Sequence, residues 1–393
     1  MKVLMIVNTD GALYVFRKPI IQKLISLGHE VISISSESRY FGWVRGLGVR
    51  PIALDFARHS VSPFQNLRLL IQLYYLIKQQ RPDIVHSFTH KPAIYGTLAA
   101  WLLGVRGIFI TITGLGTLFM HDDAKTKLMR WLLLVQYKFA LRVATTVFFQ
   151  NPDDMAYFIS RKIINPKKAI LTNGSGIDLI EYALPTADNV ALAKLNLGNE
   201  LGIDLSGRKI VLFPARGVRE KGFFEFYEAA KIVNRLMPEG YTFIHLGLVD
   251  SGSSTQITQG GIERFARDCC VYYLGYKDNI QDYMSASDIV ALPSYSEGTP
   301  RSLLEALALG KVIVATDAPG CREALLDGWN GFLCKVGDVK TLVAKILAVD
   351  DEFISKATTR SRKYCEMKFD STWLVELTLN NYSKSEKVKT SGV

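Results

Sequence analysis

The alternation of short apolar runs with helical patterns constrains the fold of this chain more than any other feature. It begins at the N-terminus, where an apolar run at 3–7 leads into a turn at 8–11, and it continues through the first half. Strands that alternate with helices indicate parallel βαβ units and a doubly wound sheet. In this half we predict strands at 3–7, 31–35, 52–54, 84–86, 108–113 and 146–149, and helices at 17–27 and 41–47.

A second alternation starts near residue 210, after a segment at about 174–207 in which apolar periodicity is weak. It contains predicted strands at 210–213, 242–246, 272–274, 289–293 and 312–315, and a predicted helix at 222–236. We therefore predict an α/β protein with two Rossmann-like, doubly wound domains facing a central cleft, where such folds bind ligands. The predicted domains are residues 1–175, a linker at 176–206 and residues 207–369, with a helix at 370–385 that completes the first domain.

The composition fits a folded protein of this size. The chain has 393 residues, of which 48% are hydrophobic, and this length suits two domains better than one. Its five cysteines are odd in number and form no Cys-x-x-Cys pair, so they indicate neither a zinc site nor a disulfide framework. They suit a reducing cytoplasm. Every apolar run is shorter than the ~18 residues of a membrane-spanning helix, so we expect no such helix.

Positive charge is concentrated in the first half of the chain. The formal net charge is +10 overall, but residues 1–180 carry 22 Lys and Arg against 10 Asp and Glu, and the remainder is slightly acidic. Such asymmetry indicates a polyanionic partner, either nucleic acid or anionic lipid. The alternative is that the charge serves solubility alone.

The segment 288–306 is the most informative in the chain. A predicted buried strand ends at Ser294, a loop rich in glycine and proline follows, and a helix begins near Arg301. This order places backbone N–H groups and the positive end of a helix dipole at the end of a strand, which favours a phosphate. Glu297 in the loop and Glu305 in the helix are carboxylates that can accept hydrogen bonds from vicinal hydroxyls, as on ribose or a hexose.

A second motif, Phe-Pro-Ala-Arg-Gly-Val-Arg-Glu-Lys-Gly at 213–222, lies between the first strand and the first helix of the second domain. Arg216 and Lys221 at this turn suit a diphosphate, whose developing charge they would neutralise as it leaves. Solvated bases near a helix start are the alternative, but cations are unfavourable at a helix N-terminus without an anion.

The first domain offers weaker signals. The turn after its first strand lacks Gly-x-Gly-x-x-Gly, which argues against a dinucleotide dehydrogenase. His86 ends a predicted strand and His90 follows it, and a lone histidine is more often structural than catalytic. His90, in the exit loop, is the candidate for function, and we expect His86 to be structural.

The string Glu-Gly-Thr-Pro-x-x-x-x-Glu-Ala that begins at Glu297 resembles the E-x7-E signature of the GT4 family, which are retaining glycosyltransferases of the GT-B fold. Arg216 and Lys221 match, position by position, the R-x4-K-G motif that binds the donor phosphates in that family. The resemblance implies that Glu297 hydrogen-bonds the donor sugar and Glu305 the ribose. It implies further donor contacts at Gly298, Thr299, Pro300, Ser302 and Leu303.

In the first domain the resemblance assigns Gly11, after the first strand, to the donor phosphates. Tyr14 and Arg17 nearby are candidates for acceptor contact, although Tyr14 can equally belong to the core. Many family members carry a histidine near the donor sugar after the fourth strand, where this chain has the threonine-rich sequence 111–114. That histidine role is therefore absent here or moved to His90, which we count with Glu297, Arg216 and Lys221 as catalytic.

Five short segments resemble the sequences of a bacterial subgroup that extends undecaprenyl diphosphate-linked oligosaccharides for glycoproteins, capsules and O-antigens. These segments are 16–21, 89–92, 114–116, 221–227 and 319–324. The resemblance implies transfer, with retention, of a hexose or N-acetylhexosamine, in first place GalNAc, from a UDP-sugar to a lipid-linked saccharide. No side-chain nucleophile is evident, so we favour front-side attack over double displacement. The chain has no Asp-x-Asp pairing, and we expect neither metal nor cofactor.

Two alternatives remain. A UDP-sugar 2-epimerase pairs two lobes of the same kind but needs no lipid acceptor, and it explains the basic first half poorly. A basic nucleic-acid-binding protein would use that charge, but the chain has no recognisable binding module. We therefore expect no nucleic acid partner.

The segment 124–144 predicts a contact with an anionic membrane surface. As a helix it places bases and apolar residues in one outward arc: Lys127, Arg130, Trp131, Leu134, Lys138 and Arg142. A separate stripe can pack on the sheet: Leu128, Leu132, Val135 and Phe139. Bases interleaved with Trp and Leu suit a headgroup layer, so we expect a cytoplasmic protein that is peripheral on the inner face of the cytoplasmic membrane. Burial of Trp131 and Leu134 under a neighbouring helix is the alternative.

Overall fold

The computed structural model describes residues 1–56, 62–120, 122–249 and 255–387. It divides into two compact units. The N-terminal unit consists of Met1–Gly176 together with the C-terminal segment from Ser371, and the second unit is Ile177–Asp370.

The described part of the N-terminal unit contains a sheet of seven parallel strands. In chain order these are β1 Lys2–Thr9, β2 Glu30–Ser36, β3 Arg50–Ala53, β4 Ile84–Phe88, β5 Gly107–Ile112, β6 Thr146–Phe149 and β7 Ala169–Leu171. Their spatial order is β3-β2-β1-β4-β5-β6-β7. The central strands β1 and β4 are largely buried on both faces, as expected where helices cover each side of a parallel sheet.

Helices cover the two faces of this sheet as separate layers. In chain order they are α1 Asp10–Ser26, α2 Phe41–Gly46, α3 Pro63–Gln80, α4 Thr97–Leu102, α5 Ala124–Val143 and α6 Pro152–Ser160, with a π-helical turn at Pro92–Gly96 before α4. One face packs against α1, α2 and the C-terminal helix Ser371–Lys387. The other face packs against α3, α4, α5 and α6.

The second unit repeats the architecture with a parallel sheet of six strands in the described residues. These are β8 Lys209–Pro214, β9 Tyr241–Leu246, β10 Val271–Gly275, β11 Ile289–Leu292, β12 Val312–Thr316 and β13 Gly331–Cys334, in the spatial order β10-β9-β8-β11-β12-β13. The helices are α7 Ala187–Leu201, α8 Phe223–Leu236, α9 Gln259–Cys269, α10 Ile280–Ala286, α11 Arg301–Ala308, α12 Val339–Leu347 and α13 Asp351–Lys368. The prediction of two Rossmann-like parallel-sheet domains is therefore confirmed.

Each sheet has one switch point, where the strand order reverses and the loops from two adjacent strands lead to opposite faces. In the N-terminal unit it lies between β1 and β4, and in the second unit between β8 and β11. Ligands of open parallel sheets bind at the carboxyl ends of the strands at such points. The two motifs that stand out in the sequence follow β8 and β11 directly.

Two local predictions are wrong. Residues 8–11 do not form a turn, because β1 runs to Thr9 and α1 begins at Asp10. The Asp10 carboxylate accepts the N–H groups of Gly11 and Ser38, both at 2.7 Å, and so holds the helix start against the segment after β2. The predicted linker at 176–206 contains α7, whose weak periodicity reflects a helix with only Leu197 buried.

Helix α5 forms as predicted, but its orientation is different. The sheet receives Tyr137, Ala140 and Leu141, and three of the four residues expected to pack inward are exposed. The exposed fractions are 58% for Leu128, 46% for Leu132 and 62% for Phe139. Lys127, Trp131 and Lys138 do face outward.

Two members of the predicted outward arc of α5 lie elsewhere. Leu134 packs against the core. Arg130 donates from Nε to the Leu118 carbonyl at 3.2 Å and pairs with Asp122 at 3.3 Å. The two stripes of α5 are both apolar in part, and only the packing against the sheet decides which one is buried.

Candidate active site

The turn after β8 is shaped by close approach of its backbone to the end of β11. A short 3₁₀ turn at Arg219–Lys221 leads to Gly222, which has φ of +77°. A Cβ atom on Gly222 would lie 2.1 Å from the Pro293 carbonyl oxygen. Only glycine combines this left-handed backbone with that distance, so the motif's final glycine lets the two strand ends meet.

The loop after β11 is held against the same turn by backbone hydrogen bonds. The Tyr295 N–H and the Ser294 hydroxyl both donate to the Glu220 carbonyl at 2.9 Å. On its other side, the Glu297 N–H donates to the Pro319 carbonyl at 2.9 Å. The position of Glu297 is therefore fixed by backbone contacts on both sides of the loop.

These contacts bring together two residues that the sequence analysis selected. Lys221 Nζ forms an ion pair with Glu297 Oε1, although the two lie 76 positions apart in the chain. The side chains are 21% and 10% exposed, so the pair is mostly shielded from water but remains accessible. A cation and a carboxylate therefore stand side by side at the carboxyl ends of β8 and β11.

Helix α11 begins beside this pair. Its N-cap is Pro300, and the Leu303 N–H already bonds to the Pro300 carbonyl at 3.0 Å. The Thr299 hydroxyl donates to the Gly298 carbonyl at 2.8 Å, and Ser302 lies in the first turn. The N-terminal ends of helices attract anions through their unpaired N–H groups and dipole. The arrangement can thus take an anionic ligand next to Lys221.

Glu305 lies one turn into α11 and is 6% exposed. Its Oε1 accepts a hydrogen bond from the Tyr182 hydroxyl at 2.8 Å and another from Arg301 Nε at 2.9 Å. Burial and the nearby carboxylate raise the pKa of Tyr182, so its hydroxyl stays a donor. The orientation of the Glu305 carboxylate is set by these two donors.

Arg216 lies at the carboxyl end of β8 with an exposed side chain. The backbone just before it is held by the buried His245, whose Nε2 contacts the Ala215 carbonyl at 2.9 Å. Burial lowers the pKa of His245 to about 4, which keeps this ring neutral.

In the N-terminal unit, the residues predicted near the donor or acceptor differ in exposure. Gly11 lies in the first turn of α1, where a Cβ would come within 3.0 Å of the Tyr40 ring. Tyr14 stacks on Tyr40 with 5.7 Å between ring centroids and is partly exposed. Arg17 is 4% exposed, and its guanidinium carbon lies 4.4 Å from the centre of the Phe88 ring. Arg17 is thus an interior residue.

His86, inside β4, and His90, just after it, occupy different environments. His90 contacts the Tyr137 hydroxyl through Nδ1 at 2.6 Å, and burial lowers its pKa to about 4. His86 lies inside the sheet, between the Tyr382 hydroxyl at 2.6 Å and the Thr111 hydroxyl at 2.8 Å. His86 therefore has structural contacts on both ring nitrogens, and His90 is neutral in the folded protein near pH 7.

Sequence reasoning missed Tyr182 and His245. Tyr182 belongs to the stretch taken for a linker, 123 positions from its partner Glu305, and no motif surrounds it. His245 is the next-to-last residue of the buried strand β9 and follows the apolar pair Phe243 and Ile244. The one signal in the sequence was a polar imidazole ring in a mostly apolar strand, because buried ring nitrogens need hydrogen-bond partners. Within the described ranges, the structure has no cluster of three or more His, Cys, Asp or Glu side chains suited to a metal ion.

Two models of known protein families match this chain, one in each half. The family model "Glycosyl transferases group 1" matches residues 203–362, and the model "Glycosyl transferase 4-like" matches residues 2–151. The first match contains the turn after β8 and the loop after β11.

Two curated relatives and one solved structure extend the match to the whole chain. The N,N'-diacetylbacillosaminyl-diphospho-undecaprenol alpha-1,3-N-acetylgalactosaminyltransferase of Campylobacter jejuni is 29% identical over 96% of this chain and 97% of that protein. The N-acetyl-alpha-D-glucosaminyl L-malate synthase of Bacillus anthracis is 31% identical over 80% of this chain and 77% of that protein. Anabaena HepE in complex with UDP and glucose superposes with a TM-score of 0.77 at 16% identity, covering 98% of this chain and 99% of that one.

Proposed function

The chain belongs to the group 1 family of glycosyl transferases, and on that basis we propose that it moves a sugar from a UDP-sugar to a lipid-linked saccharide with retention of configuration. The observation that carries the proposal is the Lys221–Glu297 pair beside the N-terminus of α11. A cation and a helix N-terminus suit a diphosphate, and a carboxylate within reach of both suits sugar hydroxyls.

The donor is the first part of the proposal. Lys221 and Arg216 bind the diphosphate, aided by the backbone of the loop and first turn of α11: Gly298, Thr299, Pro300, Ser302 and Leu303. Glu297 hydrogen-bonds the donor sugar, and Glu305 hydrogen-bonds the ribose. The transferred sugar is a hexose or an N-acetylhexosamine. GalNAc is our first choice, because the Campylobacter relative is named as an N-acetylgalactosaminyltransferase.

The chemistry follows from these roles. The acceptor hydroxyl oxygen bonds to the anomeric carbon on the face from which UDP leaves, and the bond between that carbon and the UDP oxygen breaks. The departing β-phosphate oxygen takes the acceptor's proton, so UDP and the new glycoside are the products. Lys221 and Arg216 stabilise the charge that grows on the leaving diphosphate, which is where preorganised electrostatics lowers a barrier most.

The N-terminal unit takes the acceptor in this proposal. Gly11, which lies at the switch point of its sheet, keeps its proposed role at the donor phosphates, and the partly exposed Tyr14 is the candidate for acceptor contact. Arg17 is buried, so in this proposal its effect on the acceptor is indirect and passes through the Phe88 ring on which its guanidinium lies. His90 is neutral near pH 7, so it serves as a hydrogen-bond partner for the sugar.

The acceptor is a saccharide on undecaprenyl diphosphate, since the Campylobacter relative is named for such a substrate. A lipid acceptor requires access to a membrane surface. No helix in the part of the chain that the structure describes is long and apolar enough to cross a membrane. We therefore propose peripheral association with the inner face of the cytoplasmic membrane, through contacts with anionic lipid.

A panel of UDP-sugars tests the proposal, with UDP release and product formation measured in the presence and absence of an undecaprenyl diphosphate-linked saccharide. Transfer predicts UDP release that depends on the acceptor and a product enlarged by one sugar. A 2-epimerase would instead convert the UDP-sugar without an acceptor. A nucleic-acid-binding protein would show neither reaction.

A further inference from the structure

The outer surface of the helical layer α3, α4 and α5 carries most of the exposed apolar side chains of the N-terminal unit. Of thirteen large apolar side chains exposed in the described part of this unit, ten belong to these three helices. They are Phe64, Leu67, Ile71, Tyr75, Trp101, Leu102, Leu128, Trp131, Leu132 and Phe139. We call this set the apolar face.

On α3 the exposed members form one stripe. Phe64, Leu67, Ile71 and Tyr75 follow one another at intervals of three or four residues, which places them on one side of a helix. Phe64 is 86% exposed and Tyr75 is 64% exposed. The opposite side of α3 is buried against the sheet. A helix that has already buried one apolar side does not need a second one for folding.

The three helices lie side by side on one face of the sheet. The Tyr95 hydroxyl, in the π-helical turn before α4, donates to the Gln136 side chain of α5 at 3.0 Å. The same turn and α4 pack against α3 as well. Since each helix buries its inner side in the same face of the sheet, the three outer sides point the same way.

Charge on this layer has one sign. The ranges 63–80, 92–102 and 124–143 contain no Asp or Glu, and they contain seven Lys and Arg. Beyond the C-terminal half of α5 lies an open pocket of about 550 Å³, whose lining includes four bases and no acid. The bases are Lys138, Arg142, Lys162 and Lys168. We call this the basic pocket.

We propose that the apolar face docks on an anionic lipid bilayer and that the basic pocket takes a headgroup phosphate. Apolar and aromatic side chains next to bases, with no acid among them, match the boundary between acyl chains and anionic headgroups. Lys168 Nζ is held at 2.7 Å from the Arg142 and Ala144 carbonyls, which fixes its charge at the end of α5. This inference rests on the proposed lipid-linked acceptor, and it names the surface that would reach it.

The test is binding to vesicles of phosphatidylcholine alone or mixed with phosphatidylglycerol, measured by flotation with the full chain. Three paired variants probe the surface: Phe64→Ser with Tyr75→Ser, Trp131→Ser with Phe139→Ser, and Lys138→Ala with Lys162→Ala. Trp373→Ser is the matched control, because Trp373 is 45% exposed on the C-terminal helix, which covers the opposite face of the sheet.

We expect binding to the anionic vesicles that weakens as salt rises, because the basic contribution is screened. The basic pair should weaken binding roughly 10-fold or more, since each base near an anionic surface contributes about a fivefold factor. Each apolar pair should weaken it to a similar degree, because two large side chains no longer bury apolar surface in the bilayer. The control should bind as the unaltered chain does. Circular dichroism and transfer to a short-chain, soluble acceptor analogue should be unchanged in all variants.

Equal binding to the two kinds of vesicle, or binding that survives all three paired variants, would overturn the proposal. A competition experiment could also overturn the proposal. If a single-stranded oligonucleotide binds the apolar face and displaces the chain from vesicles, that face belongs to nucleic acid and not to lipid. A chain that docks on vesicles but transfers no sugar to the soluble analogue would refute the proposed function and leave the docking surface standing.

Discussion

Replacing Lys221 by alanine tests the centre of the candidate active site. Lys221 is the ion-pair partner of Glu297 and stands beside the N-terminus of α11. Its loss removes one fixed cation from the place where we put the leaving diphosphate. It also removes the Lys221 cation from the Glu297 carboxylate, which is 10% exposed.

The two consequences have different sizes. Removing one preorganised electrostatic group costs about 10²–10³-fold in turnover, or roughly 3–4 kcal/mol of transition-state stabilisation. For stability, breaking a fully buried ion pair costs about 3–5 kcal/mol and breaking an exposed one at most about 1 kcal/mol. With its side chains 21% and 10% exposed, this pair falls between those limits, so we expect about 1–3 kcal/mol.

A double-mutant cycle separates the two effects. Lys221→Ala, Glu297→Gln and the double variant are compared for UDP release with acceptor present and for unfolding in urea. The double variant no longer holds a mostly buried carboxylate at position 297 that has lost the Lys221 cation, so it should regain stability over Lys221→Ala without regaining turnover. Lys340→Ala, an exposed lysine of α12, is the control for loss of one positive charge.

Near-normal turnover in Lys221→Ala would remove the phosphate role from this residue. A double variant that regains both stability and turnover would show that Lys221 serves only to neutralise Glu297. Either result would contradict the reasoning from the geometry of the pair.

Four further outcomes are expected. Transfer should persist in excess EDTA, and complete loss that magnesium or manganese restores would contradict the use of fixed cations in place of a metal. Gly222→Ala should unfold at lower urea than Gly207→Ala, because both have φ near +75° but only the first would place a Cβ 2.1 Å from a carbonyl oxygen. Tyr182→Phe removes a charged hydrogen bond to Glu305, worth about 1.5–3 kcal/mol, so it should raise the KM for the UDP-sugar roughly 10-fold or more with little change in kcat; an unchanged KM would separate Tyr182 from donor binding. The pKa of His90 is lowered from 6.5 to about 4, so the unfolded chain binds a proton there before the folded one does, and stability should fall as pH drops from about 6.5 to about 4. His90→Gln should reduce that slope in urea titrations, and an identical slope would place the histidine outside the buried environment.

The fold was predictable because most strands are short apolar runs that alternate with helical patterns, although β7 and β13 were not predicted. The site in the second unit was predictable for a related reason. Lys221 and Glu297 lie in loops that follow adjacent parallel strands, so the topology alone brings them to one edge of the sheet. Two motifs that each follow one of two adjacent parallel strands can thus be predicted to lie close together, however far apart they are in the sequence.

The remaining features depend on contacts between distant segments. Asp10 starts α1 through a partner 28 positions away, Ser38, which no local pattern shows. Tyr182 reaches Glu305 across 123 positions. In α5 the amphipathic pattern gives two stripes of similar character, and only the shape of the sheet surface decides which stripe it covers. Each error arose where tertiary packing, and not local preference, settles the outcome.

The N-terminal unit is built from two separate stretches of the chain, because the C-terminal helix belongs to it. Tyr382 of this helix contacts His86 inside the sheet, so the unit that begins with Met1 also needs residues that are translated after the whole second unit. The second unit is one continuous stretch, Ile177–Asp370, and none of its residues is translated after that helix. We therefore expect a chain truncated after Asp370 to hold a protease-resistant second unit beside a protease-sensitive first unit. The first sheet, although translated earlier, lacks its closing helix until residues 371–387 have been made.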